Sequence, residues 1–230
     1  MTKRNATRPI PLALTMMIAV FSALVALALS GGHTMTAGAA TAHHDHGKKP
    51  EAAALRMDMR RLWEDHVTWT RLAIISLTTN SPDTQATVAR LLQNQDDIGY
   101  AIKPYYGDAA GTQLSSLLRE HILIAADLIA AAMKGDQAAV ASEQARWTAN
   151  ADQIAKFLAA ANPRFWEVGE MKAMLYDHLR LTTDEVVARL QHDWATDVKT
   201  YDEIVDQALG MADMLSDGII GQFPERFRGK

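Results

Sequence analysis

From residue 51 onward, proline and glycine gather in a few short clusters, and the stretches between them carry apolar side chains at intervals of three or four residues. No stretch alternates apolar and polar residues as a half-buried strand does, so the pattern predicts helices throughout. Reading starts and stops places helices at 51–79, 83–103, 109–134, 137–161, 167–191 and 195–222. The stops are Asn80-Ser81-Pro82, Pro104, Gly135, Asn162-Pro163 and Phe223-Pro224, with glycine as a helix end and proline just past one. The expected fold is all-α, an up-and-down bundle of about six helices filling residues 51–230.

The helices read as three similar hairpins. Leu62-Trp63-Glu64-Asp65-His66, Leu117-Leu118-Arg119-Glu120-His121 and Met174-Leu175-Tyr176-Asp177-His178 each run from an apolar pair through an acid to a histidine, and the histidines are 55 and 57 residues apart. On the partner helices, Asn94-Gln95-Asp96-Asp97-Ile98, Asn150-Ala151-Asp152-Gln153-Ile154 and Met211-Ala212-Asp213-Met214-Leu215 share an acid two places before an aliphatic residue. The His-to-Asp separations are 30, 31 and 35, and each unit closes on a proline followed by an aromatic. A period near 56 residues holding two helices predicts an αα-hairpin repeated three times.

The histidines interrupt apolar stripes. His66 stands among Leu55, Met59, Leu62, Trp69 and Ala73, His121 among Leu114, Leu118, Ile124 and Leu128, and His178 among Met171, Leu175, Leu181 and Val186. A buried imidazole needs partners for both ring nitrogens, so a histidine repeated at one core position asks for an explanation. If the hairpins pack around one axis, His66, His121 and His178 meet at one level. Three neutral imidazoles with a fourth position open suit Zn, Cu, Ni or Fe. Asp96, Asp152 and Asp213 are then candidates to accept the remaining ring N–H or to complete the coordination sphere. The plainer reading is that each histidine bonds an acid or carbonyl of its own hairpin and only fixes its register. Trp63, Trp69, Trp147, Trp166 and Trp194 sit at or beside stripe positions and are read as core.

The first eight residues carry Lys3, Arg4 and Arg8 and no acid, and the run 9–29 (PIPLALTMMIAVFSALVALAL) has no charge. A basic segment, an apolar run and the small residues after it form a signal peptide spanning 1–40, with cleavage expected near 39–42. The run also has the length of a membrane span, so an uncleaved anchor is the alternative. Residues 41–50 form a polar linker in which His43, His44 and His46 can chelate Cu, Ni or Zn, though a solvated tether is the plainer reading. The rest is expected outside the cytoplasm: periplasmic, extracellular, or held at the outer face of the cytoplasmic membrane, with the N-terminal segment as its one membrane contact.

Composition removes several classes of function. The absence of cysteine excludes thiolate metal sites and a cysteine nucleophile. A net charge of −4, or 20 − 27 = −7 without residues 1–40, argues against nucleic acid as a partner. Gly107 and Gly111 are not followed by Lys-Ser/Thr, no Gly-x-Ser-x-Gly or His-Glu-x-x-His occurs, and no acid stands at di-iron spacing from its histidine.

Leu62-Trp63-Glu64-Asp65-His66-Val67-Thr68-Trp69-Thr70-Arg71, Ala161-Asn162-Pro163 and Met211-Ala212-Asp213-Met214-Leu215 with Gln222-Phe223-Pro224 resemble a group of small bacterial exported or membrane-anchored helical proteins, over about residues 55–228. The resemblance implies the helical fold and brings no activity and no functional residues with it. The function expected is a binding or sensing module for a metal ion or small ligand. The alternatives are a structural or interaction domain with a protein partner in the envelope, and an enzyme activating water on a tri-His metal.

Overall fold

A computed structural model describes residues 52–228. The signal segment and the histidine linker lie outside the described residues. The chain divides into two units, Met1–His44 and Asp45–Lys230, and every described helix belongs to the second.

The described chain is all helix and turn. Its five helices are α1 (Ala52–Thr79), α2 (Thr84–Lys134), α3 (Gln137–Ala161), α4 (Val168–Leu190) and α5 (Trp194–Gln222), followed by a short 3-10 turn at Pro224–Arg226. Among the described residues no helix is long and apolar enough to cross a membrane.

Local chemistry explains the ends. Asn80 closes α1 with φ 53°, and Ser81 N–H reaches back to the Ser76 carbonyl at 2.9 Å. Gly135 closes α2 at φ 69°. Asp136 and Asp193 cap α3 and α5 by accepting the backbone N–H groups of Ala139 and Thr196.

The difference from the sequence reading lies in α2. Two helices were expected, at 83–103 and 109–134, and α2 holds both, as helical segments that meet at a non-helical residue with no loop between them. Pro104 lies inside it, and the break falls three residues later at Gly107, with φ 84° and ψ 168°. That conformation is open to glycine and costly to other residues. Beyond it the chain doubles back, because Arg119 donates to the Leu92 carbonyl at 3.1 Å and to Asp96 at 2.9 Å. Gly99 and Gly111 allow this return: a Cβ on either would fall 2.5 Å from the other's carbonyl oxygen.

Helices adjacent in sequence pack together, and α1 closes the ring against α5. One apolar core draws on all five helices, including Met59, Ile98, Leu118, Ile154, Met171 and Ile219. Trp166 fills the space above Gly218 and donates Nε1–H to the Met214 carbonyl at 3.4 Å. Trp194 departs from its expected core role: it is 52% exposed, stacked on His192 and beneath Arg189.

Candidate functional site

His66 on α1, His121 on the second half of α2 and His178 on α4 are all buried. The ring centre of His178 lies 5.7 Å from that of His66 and 6.5 Å from that of His121. Three imidazoles from three helices thus form one internal layer.

Side-chain amides set the protonation of the rings. The Nδ2 group of Asn150 donates to the Leu117 carbonyl at 3.1 Å, which turns its Oδ1 toward His121; Nδ1–H of His121 donates to that oxygen at 2.8 Å. Gln207 repeats the arrangement, with Nε2 donating to the Met174 carbonyl at 3.0 Å and Oε1 accepting from Nδ1–H of His178 at 3.1 Å. In both cases the carbonyl belongs to the residue four before the histidine. At His66 the matching residue is Asn94, whose Nδ2 donates to the Leu62 carbonyl at 3.0 Å and whose side-chain bond to the ring favours its charged form. Gln95 Nε2 donates to the Leu91 carbonyl at 2.9 Å and shares its remaining proton between Asn94 Oδ1 at 3.1 Å and Nδ1 of His66 at 3.3 Å. The network therefore assigns Nδ1–H to His121 and His178 and leaves their Nε2 lone pairs for other use, whereas at His66 the amide N–H facing Nδ1 fits the tautomer protonated on Nε2.

Burial holds the rings neutral. It pushes the His121 pKa down to about 4 and lowers that of His178. It lowers that of His66 well below the ordinary value, with the other two rings adding to the effect. Two indoles border the layer. Trp63 meets His66 edge-on at 5.5 Å, and Trp147 lies 5.1 Å from His121. Both Nε1–H groups are buried without a hydrogen-bond partner among the described residues. One turn before the histidines, Trp63, Leu118, Met174 and Leu175 help line an apolar cavity of about 30 Å³.

The three acids expected beside the rings are engaged elsewhere. Asp96 pairs with Arg119 at 2.9 Å, Asp152 with Lys172 at 2.8 Å, and Asp213 with Arg60 at 2.5 Å. Lys172 and Arg60 hold the Asp152 and Asp213 carboxyls below the usual carboxylate range. Among the described residues no three His, Cys, Asp or Glu side chains already stand close enough to hold an ion. Imidazoles sharing one ion through Nε2, with bonds of about 2.0 Å, have ring centres about 5 Å apart, closer than the 5.7 Å and 6.5 Å found here.

A buried ionic cluster was not anticipated from the sequence. Arg71 Nη1 binds Glu185 at 2.6 Å and Asp197 at 2.9 Å, and Arg189 binds the same Asp197 at 2.8 Å. Burial pushes Glu185 up to about 7 against the pull of Arg71. Compared with protein-family models, with curated proteins and with solved structures, the chain matches none.

Proposed function

We propose that the chain is a helical-bundle binding module for a transition-metal cation, Zn, Cu, Ni or Fe, taken up by the Nε2 atoms of His66, His121 and His178. The observation that carries this reading is the layer itself: three buried imidazoles from three helices, two of them, His121 and His178, with Nδ1–H committed to an amide whose own orientation a backbone carbonyl fixes. Fixing the tautomer through the second nitrogen is how proteins orient metal-binding histidines. A core that needed only packing has no use for three lone pairs in one layer. In this reading the module is three αα-hairpins around one axis, each contributing one ligand, and it works outside the cytoplasm behind its N-terminal segment.

The test uses the full-length chain in detergent, with His43, His44 and His46 replaced by alanine and no chelator in purification. About one transition metal per chain, lost on His121→Ala, is expected. A metal-free chain whose melting temperature none of the four cations raises refutes the proposal. The competing reading, an envelope interaction domain without metal, draws on the same amide bonds, since they pin hairpin register whether or not an ion is present.

A further inference from the structure

We propose that the apolar cavity inside the helix ring is a binding site for an uncharged, nonpolar molecule of about two heavy atoms, with dioxygen as the type, and that the molecule enters past Tyr106. This inference stands apart from the metal reading of the histidine layer. The cavity takes its lining from all five helices, between the histidines and the end of the bundle where α1 begins. Its volume of about 30 Å³ is about twice what a single water needs, yet no polar atom of the described residues faces it. A water there would forfeit its hydrogen bonds, so the space stays dry. The same lining rejects ions and hydrogen-bonding ligands, and the size rejects rings and longer chains.

What the walls offer is dispersion. Met59, Met174 and Met211 bring thioethers from three helices, and Trp63, Trp166 and Tyr106 bring aromatic rings. Such side chains are polarizable, and methionine adapts its shape to what it touches. Protein interiors leave few voids larger than a water, because the walls of an empty space lose contacts that an occupant restores. The way in is held by one amide. Tyr106 and Ala161 line the cavity and are only half-buried. Gln222, at the end of α5, joins them: its Oε1 accepts from the Tyr106 hydroxyl at 2.6 Å, and its Nε2 donates to the Ala161 carbonyl at 3.1 Å. Tyr106 immediately precedes the non-helical Gly107, so its ring can swing aside once this amide lets go.

The experiment follows ¹³C-labelled methionine methyl groups in the full-length chain in detergent, under xenon and then under dioxygen pressure. Xenon should shift the Met59, Met174 and Met211 methyls along a saturating curve, while Met57, 66% exposed, shows no saturation. Dioxygen should broaden the same three methyls, through its unpaired electrons, more than it broadens Met57. Leu118→Phe, which fills the cavity, should weaken xenon binding by about 10-fold or more. Gln222→Leu should speed xenon exchange and leave its affinity unchanged. Three methyls that drift as Met57 does under both gases overturn the inference, and xenon binding without dioxygen broadening overturns the ligand class. An exchange rate unaltered in Gln222→Leu overturns the route. Because phenylalanine can overfill the core, Leu118→Ala gives a test of opposite sign: the larger cavity should bind xenon more tightly, and an unchanged or weaker affinity overturns the site.

Discussion

Lowering the pH should destabilise the metal-free fold through its buried imidazoles, and His121 lets the size of the effect be worked out. Its pKa is about 4 in the folded chain, against an ordinary value of 6.5. Between these values the unfolded chain holds a proton that the folded one refuses, so stability rises with pH. The contribution is complete above about pH 6.5 and is lost as the pH falls toward 4. At about 1.4 kcal/mol per pH unit for one proton, the loss from His121 alone is about 3 kcal/mol. Glu185 acts in the opposite direction. Its pKa of about 7 lies above the ordinary 4.5, so acidification through that interval favours the folded state. The measurement must therefore be a difference in which Glu185 cancels. Urea unfolding of the chelator-treated parent and of His121→Leu at pH 7.5, 6.5, 5.5 and 4.5 provides it. The parent's stability should fall more steeply than the variant's below pH 6.5, by about one proton's worth. Parallel curves, or a steeper fall in the variant, would refute the assignment of His121 as a buried neutral base.

Asn150→Ala should cost about 1–3 kcal/mol, because it strands Nδ1–H of His121, and ¹⁵N shifts of that ring should report a disturbed tautomer. Glu185→Gln should steepen the rise of stability between pH 5 and 7, because the carboxyl otherwise offsets the histidines by favouring the protonated folded state, as denaturant titrations at both limits would show. Gly218→Ala should cost about 1–3 kcal/mol and alter tryptophan fluorescence, since its Cβ would fall 2.0 Å from Trp166 Nε1. Gly107→Ala should cost about 1–3 kcal/mol through backbone strain alone, because no atom lies within 4 Å of the new Cβ; an unchanged melting temperature would count against the φ of 84°.

The helices were legible because their punctuation is chemical. A left-handed Asn80, the Asp136 cap and Asn162-Pro163 act within a few residues of themselves, and the 137–161 helix is found at its expected bounds. The site of the break in α2 was not legible, since Pro104 reads as the stop and the conformation at Gly107 decides where the chain turns. The gathering of His66, His121 and His178 followed from the apolar stripes. Their partners did not, because acids attract attention as partners for histidine and amides do not. Asn94, Asn150 and Gln207 stand 28, 29 and 29 residues after their histidines, a closer match than the 30, 31 and 35 of the aspartates. Aligning the third hairpin on Asp213 concealed Gln207. The Arg71, Glu185 and Asp197 cluster spans 126 residues of sequence, and no local pattern announces a contact of that range.

The closure of α1 on α5 sets an order of events during synthesis. Asn94 meets Leu62 and Asn150 meets Leu117 across 32 and 33 residues, so each hairpin can settle while its neighbours are still being made. The seam cannot. Arg60 and Arg71 belong to the first of the described helices to be translated, and their partners Asp213 and Asp197 to the last. At about 5–20 residues per second, the interval between residues 79 and 222 keeps the α5-facing side of α1 without its partner for about 7–29 s. The earliest helix of the domain thus waits longest for its final neighbour, and that interval is when premature pairing with another nascent copy competes with folding.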